Sequence, residues 1–139
     1  MRWDLIDRFT YLKKGEASKA VKTFSGQEDF FAEHYPGRPL LPEPLLIEMV
    51  AQAGGVLFGL SFDFKKEVIL AKITQAKFSR LVSPPCLLTV EAQIEDEREE
   101  GVWISGTVRL GSELISESTM LLVSMQALGS QTEKTIVFN

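Results

Sequence analysis

The sequence predicts an α+β fold in which one buried helix lies against an antiparallel sheet. Three observations carry that expectation. Leu45, Leu46, Met49, Val50, Ala53, Leu57 and Phe58 occupy both sides of a helical cylinder, and a helix apolar nearly all round is normally enclosed. After Asp63 the pattern changes to a period of two, rich in β-branched residues and punctuated by short turns. Helix and strands are segregated along the chain rather than alternating, the mark of an α+β arrangement.

The elements follow in order. Residues 3 to 9, WDLIDRF, place Trp3, Leu5, Ile6 and Phe9 at the spacing of a short helix. Residues 16 to 25, EASKAVKTFS, alternate loosely and read as a strand, and residues 27 to 33 as a helical turn or a loop. From His34 to Pro42 the chain cannot be regular, because proline fixes φ, removes a donor and restrains its predecessor. The long helix opens near Glu43 and Pro44, since proline suits a first turn. Gly54-Gly55 and Gly59 would admit another backbone or loosen the helix end. Residues 67 to 82 read as one long or two short strands, broken by Ser83-Pro84-Pro85. The segments LLTVEAQIEDE, VWISGTVRL and ELISESTMLLVSM, joined by DEREEG and Gly111-Ser112, form a three-strand antiparallel meander. Residues 129 to 139 read as a loose tail on a single domain spanning 1 to 139. A sheet wrapped on one helix leaves its edges to be managed, and dimerisation is a common answer.

The 139 residues suit one domain, with 45% hydrophobic and 24% charged residues. A chain of this length buries roughly two thirds of its unfolded surface and needs no disulfide or metal to fold. One cysteine, Cys86, and one histidine, His34, allow no intrachain disulfide and no Cys/His zinc spacing. No metal and no cofactor are expected. A net charge of −4 and a pI of 5.1 argue against nucleic-acid binding. The N-terminus lacks the apolar core of a signal peptide, and no apolar run reaches about 18 residues without a charge, so no membrane contact and a cytoplasmic location are expected.

Two residues carry the chemistry worth weighing. A lone histidine in a loop is most often a surface residue, so residue type alone assigns His34 nothing. Glu48 is flanked by Leu45, Leu46, Ile47, Met49 and Val50. If enclosed, it must be neutral, paired or hydrogen-bonded, with its pKa pushed upward. Otherwise it shares a solvent-facing stripe with Gln52 one turn on, or pairs with an arginine.

Taken together, these residues bring a family into view. HYPGRPLLPEPLLIEMVAQ resembles the signature of the 3-hydroxyacyl-(acyl carrier protein) dehydratases of fatty acid synthesis, with matches at His34, Pro36, Gly37, Pro39, Pro42, Leu45, Glu48, Ala51 and Gln52 in ungapped spacing. Weaker similarity extends over most of the chain. The resemblance implies a hot dog fold, a curved antiparallel sheet wrapped around one central helix. It implies dimers with a site at the interface, the histidine from one protomer and the acid from the other. It implies a dehydratase acting on acyl carrier protein or coenzyme A thioesters. His34 is then the base at C2, and Glu48 the group that protonates or orients the departing hydroxyl. Gly37, Glu43 and Gln52 are the substrate-binding candidates, Gly37 for close packing of the loop and Gln52 behind Glu48. An apolar tunnel beside the helix would take the acyl chain, with Met49, Leu57, Phe78 and Leu81 as candidates for its lining, although core packing is the commoner role for such residues. Lys77, Arg80 and Arg38 are candidates for a basic patch facing an acidic carrier.

The match breaks where the family has Pro-Gly-x-Leu and this chain has Pro42-Glu43-Pro44-Leu45. Pro44 has no N–H to offer a thioester oxyanion, and Glu43 brings a side chain where glycine had none. Losing one such donor costs roughly 10² to 10³ in rate. Two other readings therefore stand beside the dehydratase. One is a non-catalytic hot dog protein that binds acyl groups or serves as a partner subunit. The other is a thioesterase or isomerase on the same fold.

Overall fold

The structure is a computed structural model that describes residues 5–29, 31, 37, 39–61 and 68–125. Its elements are β1 (Arg8–Lys13), β2 (Ala17–Phe24), the long helix α1 (Glu43–Ser61), β3 (Val68–Phe78), β4 (Cys86–Glu97), β5 (Gly101–Leu110) and β6 (Glu113–Ser124). The strands make one antiparallel sheet in the order β1-β2-β4-β5-β6-β3. It wraps α1 as the hot dog fold requires. The meander over β4 to β6 is as the alternation predicts, and of the stretch 67 to 82 the part Val68–Phe78 forms one strand, with register shifts at Leu70/Lys72 and Ile73/Gln75.

The sheet can close on the helix because its middle row is made of small residues. Cross-strand partners share a face, and the register aligns Ser18, Ala92, Gly106, Ser118 and Ala76 in one row across five strands. Helix residues 50 to 54 cross above it. The Ser18 hydroxyl donates to the Ala53 carbonyl at 3.1 Å. A Cβ on Gly106 would collide with the Val50 side chain and lie 2.8 Å from the Glu91 carbonyl oxygen. On either side of this row, Phe24, Met49, Leu57, Phe58, Ile104 and Met120 are fully buried. By length and composition α1 could cross a membrane. Here Leu46, Met49, Val50, Leu57 and Phe58 of this helix are buried in the core.

The N-terminal segment corrects one expectation. Residues 3 to 9 do not form a helix where they are described: Leu5 and Ile6 lie outside regular structure, and Arg8 and Phe9 already belong to β1. A seven-residue helix has too few turns to repay nucleation, and β2 offers better partners. The Asp7 N–H donates to the Val21 carbonyl at 2.8 Å, and its carboxylate accepts from the Thr23 N–H at 2.7 Å and Lys22 Nζ at 3.1 Å. Of the turn expected over 27 to 33, the described part shows the Phe31 N–H donating to the Glu28 carbonyl at 3.1 Å. The loose tail expected over 129 to 139 lies outside the described residues.

The sheet edges are β1, of ordinary length, and the long strand β3. β3 is exposed along nearly its whole length, with Leu70 and Ile73 at 36% and 42% exposure, and β1 exposes Tyr11 and Leu12. Uncovered edge strands of this kind invite pairing.

Candidate functional site

The site begins at the N-terminus of α1. Pro42 is buried, and its carbonyl accepts from the Leu45 N–H at 3.1 Å. Pro44 has no N–H. Among the described residues this leaves the Glu43 N–H as the first-turn amide without an acceptor. One and a half turns on, the helix presents Glu48, Ala51, Gln52 and Gly55 along one face, at i, i+3, i+4 and i+7. That face looks across to Val68, Ile69 and Leu70 at the start of β3. With Leu122 behind them, these residues enclose a groove of about 510 Å³.

Glu48 is the titratable group among the described residues lining this groove. It is half-buried, and the loss of water pushes its carboxyl above the usual carboxylate range; the Gln52 amide one turn on opposes the shift. The Gln52 side chain is itself anchored, its Oε1 accepting from the Leu5 N–H at 3.3 Å. Its Nε2 is buried near Glu48, close enough to favour the carboxylate but outside full hydrogen-bond geometry with any acceptor among the described residues. The arrangement holds a carboxyl with raised proton affinity at the head of a largely apolar groove, backed by an oriented amide.

The other expected residues fall as follows. Glu48 and Gln52 come together in the groove, while Glu43 stands at the helix start and does not line it. Gly37 is exposed, has φ of +80°, and a Cβ there would meet nothing within 4 Å. That positive φ is a backbone conformation glycine adopts without strain. His34 and Arg38 lie outside the described residues. Met49 and Leu57 are enclosed in the core, and neither Phe78 nor Leu81 lines the groove. The groove is lined by Ala51, Gly55 and the first residues of β3 beside Glu48 and Gln52, and sequence reasoning did not name the former as lining. The one available signal was Gly54-Gly55. The helix runs through this pair to Ser61, and Gly54 packs on a side chain, Ile104, where a neighbouring backbone was expected.

Of the basic candidates, Arg80 is taken up by a two-pronged pair with Glu113 at 2.8 Å, while Lys77 is exposed opposite Glu117. Burial, with nearby Glu28, pushes the Cys86 thiol up, away from the reactive thiolate. Among the described residues, no three His, Cys, Asp or Glu gather as a metal site would need.

Known proteins point the same way. The FabA-like domain family matches residues 1–119. The 3-hydroxyacyl-(acyl-carrier-protein) dehydratase FabZ of Variovorax paradoxus is 34% identical over 126 residues, covering 88% of this chain and 84% of that protein. Its counterpart in Novosphingobium aromaticivorans is 38% identical over 117 residues, covering 81% and 73%. Among solved structures, the dehydratase heterocomplex ApeI:P from Xenorhabdus doucetiae superposes with a TM-score of 0.77 at 14% identity, covering 94% of this chain and 90% of that one. The smu.793 protein of Streptococcus mutans, solved with acetyl CoA, gives 0.67 at 10% identity, covering 90% and 93%. At those identities the two structures speak for the fold, and the family match and the dehydratase relatives for descent: the chain belongs to the FabA-like family.

Proposed function

We propose that this protein is a 3-hydroxyacyl-thioester dehydratase, forming trans-2-enoyl thioesters on acyl carrier protein or coenzyme A. The observation that carries the reading is Glu48, a carboxyl of raised proton affinity at the head of an apolar groove in a FabA-like chain. Dehydration takes a proton from C2 and breaks the C3–O bond. His34 is assigned the first task, because imidazole exchanges protons near neutrality. Glu48 is assigned the second. A carboxyl that holds its proton can give it to the leaving hydroxyl, which departs as water, and the proton on His34 returns the pair to its starting state. Gln52 fixes the direction of the Glu48 carboxyl, and Gly37 sets the turn of the histidine loop. The oxyanion on the thioester carbonyl falls to the helix start, where the Glu43 N–H stands as donor. A second copy is the expected partner, since the long exposed β3 edge lies beside the groove and His34 would reach Glu48 across it.

A second reading, a partner subunit without its own turnover, is favoured by one observation: Pro44 offers no amide and the Leu45 N–H is already used. One experiment separates the two. Hydration of a short trans-2-enoyl thioester is followed by loss of enoyl absorbance, on acyl carrier protein and on coenzyme A. Turnover by the wild type, with a loss of about 10² to 10⁴ in both His34→Ala and Glu48→Gln, is the expected result. No turnover on either carrier, with turnover appearing once Glu43-Pro44 is replaced by Gly-Val, would instead establish the subunit reading.

A further inference from the structure

Two adjacent glycines in α1 have opposite surroundings. Gly54 has no room for a side chain, because a Cβ there would lie 2.9 Å from two carbons of Ile104. Among the described residues, a Cβ on Gly55 would meet nothing within 4 Å. Its φ is not positive, so the backbone does not require glycine either. Glycine inside a helix is destabilising relative to alanine. Nothing within the described chain accounts for its presence at 55. The space it leaves is part of the groove that Glu48 heads and that Val68 and Leu70 wall with apolar surface.

We propose that Gly55 determines how long an acyl chain the groove accepts. Glu48 and Gly55 are seven residues apart, roughly 10 Å along the helix at 1.5 Å per residue. A substrate whose C3 hydroxyl meets Glu48 and whose tail follows the helix passes Ala51 first. A short tail ends before Gly55, and a long one must cross it. The glycine keeps the far half of the groove open, so any side chain at 55 shortens the usable length without touching the reacting atoms. The proposal rests on the reading of this groove as an acyl site, and its test does not depend on turnover.

The test compares wild type, Gly55→Ala and Gly55→Leu as full-length protein. The probes are S-butyl and S-decyl pantetheine thioethers, which carry an acyl-like tail and cannot react. Affinities come from titration calorimetry, with Tm and solution mass measured on each variant. The expected result is a graded loss of decyl binding, slight in Gly55→Ala and about tenfold or more in Gly55→Leu, the scale on which a pocket discriminates a few methylenes. Butyl binding stays near wild type, solution mass is unchanged and Tm does not fall in Gly55→Ala. Equal losses for both tails, or no loss for either, would overturn the proposal. So would a change in solution mass with Gly55→Ala, which would assign the space to a second copy of the chain. Enoyl hydration run alongside keeps the two readings apart. A wild type that discriminates the tails but turns over no enoyl thioester refutes the dehydratase reading alone, and one that turns over both lengths equally well in all three proteins refutes the role of Gly55 alone.

Discussion

On the side of α1 that faces β4 and β5 there is no space for a methyl group; on the side that faces β3 there is space for an extended chain. The first side is built by the row Ser18, Ala92, Gly106 and Ser118, which lets the helix lie close enough for Val50 to touch the Gly106 backbone. The second is built by Ala51 and Gly55, which leave the gap that Val68 and Leu70 do not fill. Small residues appear on both faces for opposite reasons. On one they are filled against and stabilise by close packing. On the other they are left open, and the carboxyl at the mouth of the gap holds its proton more tightly than usual.

The largest expected effect on stability lies on the closed side. Gly106→Ala would push a methyl group into Val50 and onto the Glu91 carbonyl, and the latter is backbone that cannot rotate away. Overpacking of this kind costs about 3 kcal/mol, a fall in Tm on the order of 10 °C for a chain of this size. Thermal unfolding checks it directly. A loss below about 1 kcal/mol would mean that the helix and sheet are further apart than the row implies.

The two neighbouring glycines sharpen the comparison further. Gly54→Ala gains helix propensity but presses on Ile104, a flexible side chain already confined between helix and sheet, so it should be destabilising by about 1 kcal/mol net. Gly55→Ala gains the same propensity and meets nothing, so it should be stabilising by up to about 1 kcal/mol. Opposite signs at adjacent positions, read by denaturant unfolding at equal m, would confirm that the two faces differ. Equal signs would remove the distinction.

That pair also shows what the sequence could and could not disclose. The helix and the three-strand meander are legible because burial imposes a period on them. Glu48 is legible as a candidate because its ungapped spacing from His34 through four prolines resembles a family signature. Gly54 and Gly55 are indistinguishable to any local reading, since which of them is packed depends on where Ile104 falls in a strand fifty residues away. Met49 and Leu57 take the core role that is commoner for such residues. Large apolar residues on a helix go to the core, and a groove is walled by the small residues that the core did not take. β1 escaped notice for a different reason. It is an edge strand with most of both faces in water, so no alternation marks it, and what fixes it is the Asp7 contacts with β2.

The smallest expected effect belongs to the open side and to Glu48. Its carboxyl binds a proton more tightly in the folded protein than in the unfolded chain, because burial disfavours the charged form more than the Gln52 amide favours it. The folded state therefore carries more bound proton as pH rises through the carboxylate range, and stability falls across that window. Above the raised pKa the penalty is complete, and below the ordinary carboxylate value both states are protonated and it vanishes. Glu48→Gln keeps the shape and removes the charge. It should raise Tm slightly at neutral pH, with the advantage closing as pH is lowered through the carboxylate range. Asp7 titrates in the opposite sense: desolvation is outweighed by the Thr23 N–H and Lys22, which hold its carboxyl below the usual range. The quantity to measure is thus the difference in Tm between variant and wild type at each pH, in which Asp7 cancels. A lower Tm for Glu48→Gln at neutral pH would mean that Glu48 is ionised and paired in the folded protein. In that case the carboxyl could not serve as the acid that releases water, and the groove would lose the one group that distinguishes it from an unfilled gap.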